Sequence, residues 1–256
     1  MNLAFVLLRE AKLPDATQVA STYTSYAADE HRLRTRPVPV ETVEGDGVLE
    51  FQLGPGETAL VALIPAPVPG GEAEAAAEFS VSALGTGWSL PPHAAHLIVT
   101  VKDDGDGAGQ TVDSLARFTS LLGAIIEVTP AVGVYWGGAG ATHDAAFFRA
   151  IARERDAGPR IMLWSGVSVA RDPGGRLSLL SLGMRQLGLP DLLMTSGGSP
   201  QDALGFFFDL LTYVVERGEA LPDGDSIGRD ENEKLTVRYV ASPIDAATKV
   251  WRIDLE

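Results

Sequence analysis

Cysteine is missing from the chain altogether. Disulfides, thiolate metal sites and a cysteine nucleophile are thereby excluded. Basic residues are scarce beside acidic ones, 20 against 34, and the formal net charge is −14. Such a surface repels a phosphate backbone, and no basic stripe offsets it. The balance therefore argues against nucleic acid and against an anionic membrane as partners. A basic protein or a cation is easier to accommodate. Long apolar runs are missing too. No segment reaches the roughly 20 residues of a membrane span, and the nearest, Ala203–Val215, is interrupted by Asp209. The first apolar run, Leu3–Leu8, is shorter than the about 7–15 residues of a secretory core. No basic residue precedes it, and Arg9 and Glu10 follow at once. It reads as a β-strand, and a cytoplasmic location is the expectation. What is present is ordinary globular usage, 45% hydrophobic and 21% charged over 256 residues. A chain of this length buries about 70–75% of the surface its unfolded form exposes.

Along the chain, Pro14–Ala27 reads as a helix with Val19, Tyr23 and Tyr26 at helical spacing. Arg32–Glu44 reads as an irregular connection. Val48–Leu53 and Glu57–Ile64, separated by Gly54-Pro55-Gly56, spell a hairpin. Glu72–Glu78 is a short helix candidate between breaks at Pro65–Gly71 and Gly85–Pro92. The second break suggests a boundary between subdomains 1–90 and 91–256. Beyond it, His96–Val101 is an apolar strand. A broad stripe of Leu115, Phe118, Leu121, Leu122, Ile125 and Ile126 predicts a helix. Val132–Trp136 is a strand leading through a glycine turn into a helix over Asp144–Arg155. Arg160–Val169 and Leu177–Met184 read as strands flanking the turn Asp172–Gly175. Ser199-Pro200 starts a helix that ends at Gly218, apolar almost all round and so expected at the centre. Strands over Lys234–Val240 and Lys249–Leu255 complete the pattern. This order predicts an α+β fold of mixed, largely antiparallel sheets with helices packed on one face. It also suggests two related modules of split-βαβ type.

Several runs carry a resemblance: HAAHLIVTV, ARFTSLLGAIIE with PAVGVYWGGAGATH, LSLLSLGMRQLGLPDLLM, and DGDSIGRDENEKLTV. Together, over roughly residues 93–240, the chain resembles the bacterial domain-of-unknown-function family 4261. That family has no assigned activity, so the resemblance implies no catalytic residue, cofactor or partner.

Two candidate centres follow from the residues themselves. His93, His96 and His143 form a candidate set for a divalent transition metal, since imidazole suits zinc, copper, nickel or iron. Three-residue spacing within a strand, however, points His93 and His96 to opposite faces, unless His93 precedes the strand. The turn Gly137–His143 is a candidate for a small anion or other ligand. It would act through Gly138, Gly140, Thr142 and His143, with Tyr135, Trp136 and Arg185 nearby. The turn lacks the lysine of a P-loop, and His143 stands where a dinucleotide fingerprint has its third glycine. Its plainer reading is a tight turn with Thr142 or Asp144 capping a helix. The acidic groups Asp103, Asp104, Asp106 and Asp223, Asp225, Asp230, Glu231, Glu233 read as solvated loops. Ser165 and Ser196 do not sit in a nucleophile elbow. The expectation is a non-enzymatic protein without cofactor. It would serve as a protein-interaction or small-ligand-binding module of adaptor or immunity type. The alternative is a metal-dependent hydrolase built on the three histidines, with acid–base help from Asp144.

Overall fold

The computed structural model of the chain describes residues 2–27, 38–40, 47–54, 56–103, 111–154, 156–230 and 233–255. The expected acidic loop beyond Asp103 and most of the expected irregular connection lie outside these residues. Within that connection Val38–Val40 is a strand.

The fold is α+β with mostly antiparallel sheets. Side chains alternate faces along each strand, and here the two faces of a sheet meet different neighbours. Along β1 (Asn2–Leu8), Ala4, Val6 and Leu8 enter the main apolar cluster, whereas Leu7 joins a smaller one behind the sheet. β1 shares a seven-stranded sheet with β2 (Val38–Val40), β3 (Val48–Gly54), β4 (Glu57–Ile64), β5 (Ala95–Asp103), β6 (Ala131–Trp136) and β7 (Ala141–Asp144). The order is β2-β3-β4-β5-β1-β6-β7. β1 is antiparallel to both β5 and β6. Those two strands therefore run parallel, with β1 inserted between them and a helix over Val112–Val128 joining them, which is a split βαβ unit.

The second sheet holds β8 (Gly166–Arg171), β9 (Leu177–Leu182), β10 (Leu192–Ser196), β13 (Arg238–Ala241) and β14 (Lys249–Leu255), in the order β13-β14-β10-β9-β8. β11 (Ser226–Ile227) and β12 (Leu235–Thr236) form a small separate pair. β10 and β14 are parallel neighbours, again joined through a helix, Pro200–Arg217. Each sheet thus contains a three-strand meander, a helix and a strand parallel to the last of the three. Only the first has a strand inserted between the parallel pair. Strands from both sides of residue 90, where the sequence suggested a boundary, interleave in the first sheet; the second sheet begins only at Gly166.

Among the described residues the α-helices are α1 (Ala16–Tyr23), α2 (Glu72–Ala75), α3 (Val81–Thr86), α4 (Val112–Val128), α5 (Ala145–Ala152), α6 (Ala157–Trp164) and α7 (Pro200–Arg217). Local chemistry sets their ends. The Asp15 carboxylate accepts from Gln18 N–H, the Thr111 hydroxyl from Ser114 N–H and the Ser199 hydroxyl from Asp202 N–H. Gly218, at φ 72°, closes α7. One apolar cluster joins the inner faces of both sheets through α1, α4, α5, α6 and α7. α4 is its most buried helix, and Gly123 lets the Tyr26 ring lie against it, since a Cβ there would sit 2.5 Å from that ring.

Three expectations need correction. Residues 157–164 form a helix, not the start of a strand: the short run IMLW has no clear period, and apolar runs of that length do not separate strand from helix. The glycine turn leads into β7 before α5 starts, because residues 141–144 find a partner strand in β6. α7 is an outer layer on the second sheet rather than the central helix. Tyr213 is 44% exposed and Asp209 also faces out, while Phe207, Leu210, Leu211 and Val214 face in. Among the described residues no helix is long and apolar enough to cross a membrane.

Candidate functional site

The three candidate histidines do not converge. His96 pairs with Leu7 in β1, and Leu7 belongs to the outer cluster with Val132 and Tyr135. His143 pairs with Val134, a residue of the inner cluster. The sheet therefore stands between the two imidazoles. His96 Nδ1 donates to the Ala66 carbonyl at 2.8 Å, and its ring packs on Phe5 at 5.3 Å. His93, just before β5, accepts from Val68 N–H through Nε2 at 3.0 Å and turns Nδ1 toward Glu74, 3.5 Å away. Both rings thus pin the bend at 66–68 onto the outer face of the first sheet. Among the described residues no three histidine, aspartate or glutamate side chains are placed to share a metal ion.

His143 is fully buried and both of its ring nitrogens are engaged. Nε2 donates to the Leu163 carbonyl at 3.1 Å, which leaves Nδ1 to accept from the Ser80 hydroxyl at 2.8 Å. The Ser80 hydroxyl also meets Ser82 Oγ at 2.7 Å, and Ser82 Oγ accepts from Asp144 N–H. One neutral imidazole in this way ties the segment before α3, strand β7 and the end of α6 together. Burial pushes its pKa down to about 4, with the Leu163 hydrogen bond opposing. Burial lowers that of His93 as well, against the pull of Glu74.

An unfolded imidazole protonates near pH 6.5, whereas the native one resists until about 4. Between those values the unfolded state holds the extra proton, so stability is complete above pH 6.5 and falls as pH drops. For His143 alone the loss approaches the order of 3 kcal/mol by pH 4. Urea midpoints measured from pH 7 to 4.5 should fall steadily, with at least one proton taken up on unfolding. A midpoint that is flat or rises on acidification contradicts a buried neutral imidazole.

The glycine turn is a hairpin connection whose amides are largely spoken for. Gly137 N–H donates to the Leu3 carbonyl, Ala139 N–H to Trp136 and Gly140 N–H to Gly137. Gly140, at φ 57°, supplies the left-handed residue. Asp144, rather than Thr142, caps the following helix, accepting from Phe147 N–H at 3.0 Å. Thr142 is fully buried, and its hydroxyl has no hydrogen-bond partner among the described residues.

The turn is pressed against the second sheet. A Cβ on Gly138 would meet Gln186 Oε1 at 2.5 Å, and one on Gly166 would meet the Ala139 carbonyl at 2.9 Å. Gln186 is the bolt of this seam: Oε1 accepts from the Trp136 indole at 3.0 Å, and Nε2 donates to the carbonyls of Trp164 and Gly183. Its neighbour Arg185 is exposed and points elsewhere, donating to Thr248 Oγ1 at 2.9 Å.

Beside the bolt lies a cleft of about 530 Å³ lined by Asn2, Leu3, Phe5, Glu72, Tyr135, Trp136, Gly137, Gly138 and Gln186. It brings together Tyr135, Trp136 and Gly138 of the expected ligand set and leaves out Gly140, Thr142, His143 and Arg185. The Tyr135 hydroxyl donates to Glu72 Oε1 at 2.7 Å. Burial and this carboxylate raise its pKa to about 12, so it is a proton donor and not a base at neutral pH. Glu72 and Phe5 had no signal in the sequence, since Glu72 meets Tyr135 across 63 residues.

Of the other candidates, Glu231 lies outside the described residues, and several of the rest are engaged within the fold. Asp223 and Asp225 accept from backbone amides of Tyr239 and Ser226, and Arg229 grips Glu233, whose pKa falls to about 2 as a result. Ser165 Oγ donates to the Gly166 carbonyl, and Ser196 Oγ accepts from Gly198 N–H.

No curated protein and no solved structure matches the chain. Of the runs that carry the family resemblance, those between residues 93 and 143 lie outside the segment a family model recognises. The DGDSIGRDENEKLTV run and most of the LSLLSLGMRQLGLPDLLM run lie inside it. That segment, residues 180–254, extends from within β9 to β14 and matches a family described as a domain of unknown function (DUF4261).

Proposed function

We propose that this chain is a non-enzymatic binding module that holds a small ligand in the cleft where the turn between β6 and β7 meets the second sheet. The observation that carries this reading is the cleft itself. Its volume of about 530 Å³ falls in the range of small-molecule sites, roughly 300–1,000 Å³. Its walls combine aromatic side chains, half-buried Phe5 and largely buried Tyr135, with a small number of fixed polar groups. The backbone hydrogen bonds of Gly137, Ala139 and Gly140 hold the wall formed by the glycine turn, and Gln186 fixes the Trp136 indole beside it, so little ordering is left to be done on binding. A hydrolytic centre finds less support. His143 has both nitrogens committed to the scaffold, and His96 lies across the sheet from it.

A charge-diverse fragment set, titrated into 15N-labelled protein, tests the reading. Saturable shifts are expected at the Trp136 indole N–H and at the amides of Gly137 and Gly138. Tyr135→Ala should weaken the responsible fragments about tenfold. A set that leaves these three resonances unmoved removes the cleft as a binding site.

A further inference from the structure

The glycine turn suggests an anion when read as sequence, yet the cleft beside it has the opposite character. Among the described lining residues there is one carboxylate, Glu72, and no lysine or arginine. The amides of Gly137, Ala139 and Gly140 already donate within the fold, so the turn offers no nest of free N–H groups for an anion. The Phe5 and Tyr135 rings stack with centroids 5.5 Å apart and planes 28° from parallel. Glu72 is exposed at the rim, and only its Oε1 is engaged by the Tyr135 hydroxyl. An aromatic surface ending in a carboxylate with acceptor capacity to spare attracts positive charge twice over. The rings act through their quadrupoles and the carboxylate through charge-assisted hydrogen bonds. The net charge of −14 draws cations toward the molecule as a whole.

We infer that the seam cleft takes a flat organic cation, an amidinium or guanidinium, laid on the half-buried Phe5 ring with its N–H groups on Glu72, the buried Tyr135 backing that ring and orienting the carboxylate. A flat cation fits better than a compact ammonium, because a planar fork of N–H donors matches a carboxylate and its face can lie on an aromatic ring. This assignment rests on the cleft being the ligand site and adds the class of ligand.

Three isosteric probes separate the possibilities: benzamidine, neutral benzamide and anionic benzoate, each titrated into the 15N-labelled full chain at low ionic strength. Benzamidine should shift the Trp136 indole and the Gly137 and Gly138 amides and bind at least about tenfold more tightly than the other two. Glu72→Gln, at an exposed position, should remove about tenfold of that affinity. Glu216→Gln, which removes the same charge from the exposed side of α7, should leave it within about twofold. Tighter binding of benzamide or benzoate at the same resonances overturns the cation assignment and keeps the cleft. Equal loss in the two variants also overturns it, since attraction would then come from overall charge. Silence at these resonances with all three probes overturns the assignment. If the wider fragment set is silent there too, the binding reading goes with it.

Discussion

Arg160→Met should lower the stability of the chain by about 3 kcal/mol or more. Arg160 is 1% exposed, yet among the described hydrogen bonds its guanidinium has no carboxylate partner. It donates instead to four backbone carbonyls: Glu154 at 2.9 Å, Ala116 at 3.1 Å, Tyr26 at 2.7 Å and Ala152 at 2.8 Å. These oxygens belong to the end of α5, the turn after it, the second turn of α4 and the stretch following α1. One side chain closes the exposed carbonyl ends of two helices against a third, where a positive charge also meets the negative end of the helix dipole. Burial lowers the Arg160 pKa, because desolvation makes a charge costly there. That cost makes the net contribution smaller than four charge-assisted hydrogen bonds would suggest. Methionine fills similar space but strips the Ala152 and Glu154 carbonyls of this donor, each loss worth about 1–3 kcal/mol, whereas the Tyr26 and Ala116 carbonyls keep the Ser120 hydroxyl. Lysine, a point donor without the planar fork, cannot span all four and should still lose about 2 kcal/mol. Chemical denaturation of the two variants decides the matter. A loss under about 1 kcal/mol for methionine would show that the helices need no such clamp.

Gly183→Ala should cost about 3 kcal/mol or more and open the seam. Gly183 follows β9 at φ 106°, and a Cβ there would lie 2.5 Å from the Gly138 carbonyl oxygen and 2.7 Å from Ala139 Cα. Both obstacles are backbone of a turn tied down by the hydrogen bonds of the Gly137 and Ala139 amides, so neither can step aside cheaply. The backbone strain of a left-handed alanine, about 1–2 kcal/mol, adds to the overlap. Gly188 provides the control. It has φ 71° and nothing within 4 Å of its would-be Cβ, so Gly188→Ala should cost only the strain, about 1 kcal/mol. Equal losses at the two positions would mean that the close approach of turn and sheet is not a real constraint. If Gly183→Ala folds, the chemical shift of the Trp136 indole should change, because that proton is donated to Gln186.

Much of the fold could be read from the sequence where one residue decides one local outcome. Ser199, Pro200 and Gly218 mark the ends of α7 by chemistry that needs no tertiary partner. Leu115 to Ile126 declare α4 because their spacing fits a helix and nothing else. Residues 141–144 and 157–164 were harder, and for different reasons. β7 exists because β6 lies beside it, a long-range fact that overrides the look of a strand-to-helix turn. α6 is held partly through Arg160, whose acceptors lie up to 134 positions away. The site divides along the same line. Tyr135, Trp136 and Gly138 were legible because they sit next to one another at a glycine turn. Glu72 and Phe5 were not, since the register of the sheet and the bend at 66–68 bring them there. For the histidines, residue type alone suggests a metal, whereas strand register decides which face each ring occupies, and only the pairing of β6 with β7 places His143.

The central claim is that the imidazoles and the glycine turn are scaffold and not a reacting centre. Long-range 1H–15N spectra of the histidine rings, recorded from pH 7.5 to 4.5 with and without zinc, test it most directly. His143 should stay predominantly neutral and protonated at Nε2, beginning to titrate only at the acid end of this range because burial lowers its pKa to about 4, and its shifts and those of His96 should not respond together to the metal. A His143 that titrates near pH 6.5, or that moves in step with His96 as zinc is added, contradicts the claim.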